Sequence, residues 1–234
     1  MINKEELLNM EKEKQVLVIF PHPDDEAFGV SGTIASYINS GTPVTYACMT
    51  LGEMGRNLGN PPFATRESLP KIRKKELQEA AQVMGIKDLR MMGLRDKTVE
   101  FENEEALSQR ITDLINELDP SLIITFYPGF SVHPDHEACG RAVVRAVSKI
   151  EASKRPKMHC VAFSNNHQEV LGEPDIIHDV QDVIETKLEA IAAHKSQTEA
   201  MMANWSILLQ QQNKELQDRL FYERFYQYKW PEEI

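Results

Sequence analysis

The chain has 234 residues, 41% of them apolar, with 36 acidic against 26 basic side chains and a net charge of −10. That length and apolar fraction suit one ordinary globular domain, and the acidic balance argues against a general affinity for nucleic acid or anionic membrane, which select clustered Lys and Arg. No apolar run approaches the roughly 18 residues of a membrane span, the charged start MINKEELLNMEKEK lacks the apolar core of an export signal, and Cys48, Cys139 and Cys160 form no CxxC pair, so a soluble protein of a reducing cytoplasm is expected.

In chain order, residues 1–14 read as an N-terminal extension, followed by a buried strand at Val16–Phe20 and, past the cluster PHPDDE, a helix over Val30–Asn39 closed by Gly41. A strand at Val44–Met49 leads into a long loop, Thr50–Arg66, with three glycines and two prolines, and then a helix at Leu69–Met84 closed by Gly85. Strand Leu89–Met91, helix Glu104–Leu118 closed by Pro120, strand Leu122–Thr125, the cluster YPGFSVHPDH, helix His136–Ile150 and strand Met158–Phe163 continue the alternation. A weaker extended segment, Asp175–Val180, precedes what reads as helix from Gln181 almost to the end. The alternation predicts an α/β chain: a single domain over residues 1–234 with a Rossmann-like, three-layer fold, a mainly parallel sheet flanked by helices, and a helical tail over residues 198–234. The tail's apolar residues, among them Met201, Trp205, Leu220 and Trp230, suit a lid, a cover for the sheet or a surface that joins subunits into a homo-oligomer.

Twice an apolar strand runs straight into a His/Asp cluster: VLVIF into PHPDDE, and LIITF into YPGFSVHPDH. In a parallel sheet the carboxyl ends of the strands face the crevice that holds the chemistry. Helix capping explains an acid or two and Pro134, but not His22, His133 and His136. His22 and Asp25 sit three apart in a tight turn, so a ring nitrogen and a carboxylate oxygen can converge on one ion, and His136 completes the set from the other loop. Two histidines, a carboxylate and an open position describe a catalytic zinc site, although Fe(II) is compatible with the same donors. Asp24, beside a ligand but pointing elsewhere, is then the candidate general base, His133 the candidate donor to the reacting oxygen or leaving group, and Asp135 a residue that orients one of the imidazoles. The isolated His159, His167 and His178 read as structural, whereas His194, between two helical stretches in AAHKSQT, suits a cap or a substrate contact equally. Two rivals of other classes are weaker: a non-haem Fe(II) oxygenase, whose triad usually sits on an all-β scaffold, and a non-catalytic dinucleotide-binding module, which would need the G-x-G-x-x-G that this first βα turn lacks.

With PHPDDE paired to HPDH, the chain resembles the LmbE-like/PIG-L superfamily of zinc-dependent N-deacetylases, and the likeness extends through TLGEMGR, RKKELQEAAQVMGI and KLEAIAAHKSQ, from Val16 to about Gln197. It is most similar to the bacillithiol-biosynthesis deacetylases. The resemblance implies a small-molecule substrate, N-acetylglucosaminyl malate, with a bacillithiol S-conjugate or another N-acetylated sugar as alternatives. It assigns zinc to His22, Asp25 and His136, base function to Asp24 and oxyanion assistance to His133. Arg56 of the GExGR segment would hold polar substrate groups, with Glu53 of that segment beside it. Where some relatives carry a tyrosine this chain has Ser131, and Tyr127 is the nearby substitute. Arg66, Arg73 and Arg95 are further cationic candidates for the malate carboxylates.

Overall fold

The computed structural model describes residues 10–230. Strands β1 (Val16–Phe20), β2 (Val44–Cys48), β3 (Asp88–Met91), β4 (Leu122–Phe126), β5 (Lys157–Val161), β6 (Ile176–Asp179) and β7 (Tyr222–Gln227) form one seven-stranded sheet in the order β3-β2-β1-β4-β5-β7-β6. The first five pair in parallel, and β7 runs antiparallel to both β5 and β6. Every residue of β1, β2 and β4 is buried, because helices cover both faces; this is why these strands read as continuous apolar runs rather than as alternating ones.

On one face, Val16, Val18, Phe20 and Tyr46 pack with α1 (Asp25–Asn39), α2 (Leu69–Met84) and α6 (Ile184–Ala193) through Ile34, Leu77 and Ile191. On the other, Leu17 and Ile19 meet Ile111 of α3 (Glu104–Leu118) and Val143 of α4 (Pro134–Ser148). The helices that follow β1 and β4 therefore leave toward opposite faces, and the two strands are neighbours, with Val16 opposite Leu122. A crevice opens at their carboxyl ends, the topological switch point of such sheets. Segments that are more than a hundred residues apart in sequence meet there. A short helix, α5 (His167–Leu171), separates β5 from β6.

Two differences from the sequence expectations matter. Helix α1 begins at Asp25 rather than Val30, and α4 at Pro134 rather than His136, so both clusters run into a first helical turn. Acids and proline at those positions complement the unpaired N–H groups and dipole there, and the helix continues through them ahead of its apolar stripe. The tail is also not helical throughout. After α7 (Lys195–Gln210) and α8 (Lys214–Phe221), the segment YERFYQ becomes β7, inserted between β5 and β6 with Phe225 fully buried. Its aromatic content suits a strand, but its place in the sheet depends on partners roughly 40 to 70 residues earlier in the chain. Residues 1–9 of the extension and 231–234 of the tail lie outside the described residues. Among the described residues, no helix is long and apolar enough to cross a membrane.

The tail is fastened from inside. Glu223 of β7 accepts hydrogen bonds from the backbone N–H groups of Gly32 (3.0 Å) and Thr33 (2.7 Å) in α1 and from Lys187 Nζ of α6 (2.6 Å), and both charged side chains are almost completely buried. Removing one partner of such a pair strands the other charge in the core, at a cost of about 3–5 kcal/mol. Lys187→Ala is therefore expected to lower unfolding stability by that amount in urea titration; a loss below about 1 kcal/mol would show that the pair does not anchor the tail.

Candidate metal centre

The left-handed backbone of Asp24 (φ 95°) turns the chain out of β1 and into α1, and so aims the side chains of His22 and Asp25 at the same point. From the neighbouring loop after β4, His136 in the first turn of α4 reaches the same place. His22 Nδ1 lies 3.2 Å from His136 Nε2 and 3.4 Å from one Asp25 oxygen, while the other Asp25 oxygen is 3.3 Å from His136 Nε2. Donors at about 2.0–2.1 Å around a tetrahedral ion are separated by about 3.3 Å, so the two ring nitrogens have the spacing of one ion's ligands and the Asp25 carboxylate bridges them, one oxygen beside each.

The outer partner of each ring fixes which nitrogen keeps its lone pair. His136 Nδ1 is 3.1 Å from the carbonyl oxygen of Ser131, which can only accept, so the proton sits on Nδ1 and Nε2 is free. His22 Nε2 is 3.1 Å from Asp135 and 3.2 Å from Asp96, so in the neutral ring that would hold an ion it carries the proton and Nδ1 is free. The two carboxylates are themselves oriented: Asp135, fully buried, accepts from the backbone N–H groups of Lys97 (2.7 Å) and Val99 (3.1 Å), and Asp96 accepts from that of Met54 (2.8 Å). Ring stacking of His136 on Phe126, at 4.1 Å, holds its plane.

Among the described residues, two groups of side chains meet the geometric requirement for holding a metal: His22 with His133 and His136, and His22 with Asp96 and Asp135. The second set is better read as a bracket for the His22 ring, because its oxygens already receive backbone donors. In the first set His133 is the least available member. Its Nδ1 accepts from the N–H of Asp135 (3.1 Å) as the cap of α4, which leaves Nε2 as the proton-bearing nitrogen of the neutral ring. Burial and the adjacent His22 and His136 lower its pKa, which keeps the ring neutral and Nε2–H a donor.

The electrostatics favour a cation. Burial pushes the Asp25 carboxyl up, but His136 and His22 outweigh it and hold Asp25 well below the usual carboxylate range. His22 is drawn well above the usual imidazole value because its hydrogen bonds to Asp135, Asp25 and Asp96 outweigh burial. Asp24 behaves differently: burial pushes it up to about 6, against the pull of Arg73.

Residues 17–147 match the family described as PIG-L: GlcNAc-PI de-N-acetylase. A protein of Bacillus cereus named "Probable N-acetyl-alpha-D-glucosaminyl L-malate deacetylase 2" is 52% identical over 218 residues, 93% of this chain and 99% of that one. The chain belongs to the PIG-L family. Among solved structures, the N,N'-diacetylchitobiose deacetylase from Pyrococcus horikoshii superposes with a TM-score of 0.71 at 26% identity, over 92% of this chain and 84% of that one. A 4-carboxy-2-hydroxymuconate hydratase from Pseudomonas putida superposes equally well, with a TM-score of 0.72 over 92% of this chain and 96% of that one, but at 17% identity. The fold therefore does not choose the reaction, and the site must.

The other anticipated residues divide. Asp135 lies behind His22, as an orienting group rather than at the open face. Arg56 is exposed on the loop after β2 and makes no hydrogen bond or ion pair among the described residues. Glu53 accepts from the N–H of Asp96 (3.0 Å) and so braces the bracket. Tyr127 does not reach the site: its ring packs against Phe130, Tyr226 and Tyr228 within the core on the α3–α4 side, where an aromatic at the end of a buried strand finds more apolar contact. His194 is fully buried, 2.7 Å from Glu26, and has no exposed atom to offer a substrate. Arg73, a candidate for substrate carboxylates, is 3% exposed and bonds Asp24 (2.7 Å), the carbonyl of Gly52 (3.0 Å) and that of Pro23. Arg66 bonds the carbonyl of Gly55 (2.7 Å) and shapes its own loop.

Sequence reasoning missed Asp96, Glu26 and the structural use of Arg73. Asp96 had a usable signal, as an acid just after a third parallel strand; Arg73 had none, being one of several basic residues on a polar helix. Gly52 makes the Arg73 contact possible. It adopts φ +63°, and a Cβ there would overlap the guanidinium. Gly52→Ala is expected to displace Arg73 and to lower the melting temperature by several degrees, since strain and overpacking together cost about 1–3 kcal/mol. An unchanged melting curve would show that Arg73 has room to move aside.

Proposed function

We propose that this protein is a metal-dependent N-deacetylase that hydrolyses the acetamide of an N-acetylglucosaminyl substrate, with N-acetylglucosaminyl L-malate as the substrate and glucosaminyl malate and acetate as products, a step of bacillithiol biosynthesis. The observation that carries this reading is the convergence of His22 Nδ1, His136 Nε2 and the Asp25 carboxylate, flanked by Asp24 and His133. The names of relatives about half identical to this chain support the substrate. His22, Asp25 and His136 would hold the ion; Zn(II) suits this mixed nitrogen and oxygen set, and Fe(II) is compatible with it. When bound, such an ion supplies Lewis acidity toward the acetamide carbonyl and acidifies water.

The chain's own groups do the proton work. Asp24 keeps one side chain edge toward the cleft, at 23% exposure, and takes the proton of the attacking water as its oxygen bonds the carbonyl carbon. His133 donates from Nε2 to the oxygen on which charge develops. As the C–N bond breaks, the proton held by Asp24 passes to the departing nitrogen, so acetate and a free amine leave. Arg56, and the loop that Arg66 shapes, provide the cationic rim for the malate carboxylates.

The test is release of free amine from N-acetylglucosaminyl malate by zinc-loaded protein, with a chelated sample beside it. Release that the chelator abolishes is expected, and no release from metal-loaded protein would exclude this substrate. Asp24→Asn should retain the metal and lose at least about a hundredfold in kcat, the scale of a lost general base. His22→Ala and Asp25→Ala should instead lower metal content; full occupancy in both would refute the ligand set. Arg56→Ala should raise KM for the malate substrate more than for a neutral N-acetylglucosaminide, and equal effects would remove Arg56 from aglycone recognition.

A further inference from the structure

The cluster PHPDDE ends in a glutamate that the mechanism does not use. Glu26 is fully buried in the first turn of α1, yet it is surrounded by donors: His194 Nε2 at 2.7 Å, the Tyr46 hydroxyl at 2.8 Å and the backbone N–H of Asp24 at 3.1 Å. That last contact is to a residue with φ 95°, a conformation that is strained for a residue with a side chain. His194 lies at the junction of α6 and α7, 168 residues away in sequence, fully buried, and among the described residues its Nδ1 has no partner. A buried, half-satisfied imidazole is an expensive way to fill space, so its one strong contact is informative.

Asp24 is gripped from the opposite side as well. Arg73 of α2 bonds its carboxylate and the carbonyl of Pro23 before it. The two grips are tied together, because Glu76, one turn along α2, accepts from the backbone N–H (2.6 Å) and hydroxyl (2.7 Å) of Ser196, two residues after His194. The frame is closed: α2 holds Asp24 directly, the α6–α7 junction holds it through Glu26, and α2 and the junction hold each other.

We propose that His194 is a positioning residue for Asp24: through Glu26 it locks the strained backbone that presents the Asp24 carboxylate to the reacting water. The inference rests on Asp24 being the general base. It accounts for the burial of His194 and Ser196 within AAHKSQT, which then serve the reaction without touching the substrate.

The test is a set of zinc-loaded full-length variants, assayed for kcat, KM, metal content and melting temperature. His194→Ala is expected to lower kcat by roughly 10- to 100-fold, the scale of a reacting group displaced by about an ångström, with KM and metal content unchanged. His194→Gln, whose amide can donate to Glu26 from nearly the same place, should recover most of that loss. On an Asp24→Asn background, His194→Ala should leave the residual rate within about twofold, because the group it positions is already gone. Tyr46→Phe, which removes a hydroxyl from the same glutamate and leaves the core filled, provides a folded variant should His194→Ala be unstable; a several-fold loss in kcat alone is expected. Wild-type kcat in folded His194→Ala and Tyr46→Phe, or an equal loss with and without Asp24, would overturn the proposal. Wild-type turnover by Asp24→Asn would overturn the base reading itself and is recognised separately, since it does not involve His194.

Discussion

His22 Nδ1 and His136 Nε2 face one another at 3.2 Å, a close approach that two imidazoles avoid unless something prevents them from turning away. Here every alternative is blocked. The carbonyl of Ser131 fixes the proton of His136 on its outer nitrogen, Phe126 holds the ring plane, and the paired carboxylates of Asp96 and Asp135 fix that of His22. Asp25, the residue after the strained turn, completes a cluster that is stable only with protons or a cation between its members. Much of the surrounding architecture follows from maintaining this cluster: adjacent central strands bring the two loops together, and a loop from the third strand end supplies the Asp96 bracket.

The neighbouring Asp24 requires a different environment. A ligand is best held at a low pKa by adjacent cations, whereas a base must be able to accept a proton, and the two carboxylates stand side by side in the sequence. Backbone conformation separates them. Asp24 in the left-handed region points to the α2 side, where burial raises its pKa to about 6 and Arg73 steadies it, while Asp25 turns toward the imidazoles that hold its pKa down. On the proposed roles, one residue of chain separates a metal ligand from a proton acceptor.

The parts of this arrangement that depend on local chemistry were legible in the sequence. Buried strands read as apolar runs, α2 and α3 read to their ends because Gly85 and Pro120 mark them, and the histidines stood out because capping could not explain them. What was not legible depends on distant partners. Strand β7 reads as helix until β5 and β6 are placed on either side of it. Arg73 and Glu76 look like solvated helix positions until the chain folds Asp24 and Ser196 against them, and His194 suits a cap or a substrate contact equally until it is found sealed beneath α1. Tyr127 was placed by proximity in sequence, which at the end of a strand does not say which face the ring takes; it took the apolar one.

The fold is shared with an enzyme of different chemistry, so the claim that matters is the identity and geometry of the donors rather than the sheet that carries them. The most direct measurement is a zinc-edge anomalous difference map from crystals of the zinc-loaded protein. The account predicts a single strong peak about 2.0–2.2 Å from His22 Nδ1, His136 Nε2 and an Asp25 oxygen, with His133 and Asp24 beyond bonding distance. A peak bonded to His133 Nε2 in place of Asp25, or one on the His22 Nε2 side between Asp96 and Asp135, would contradict it.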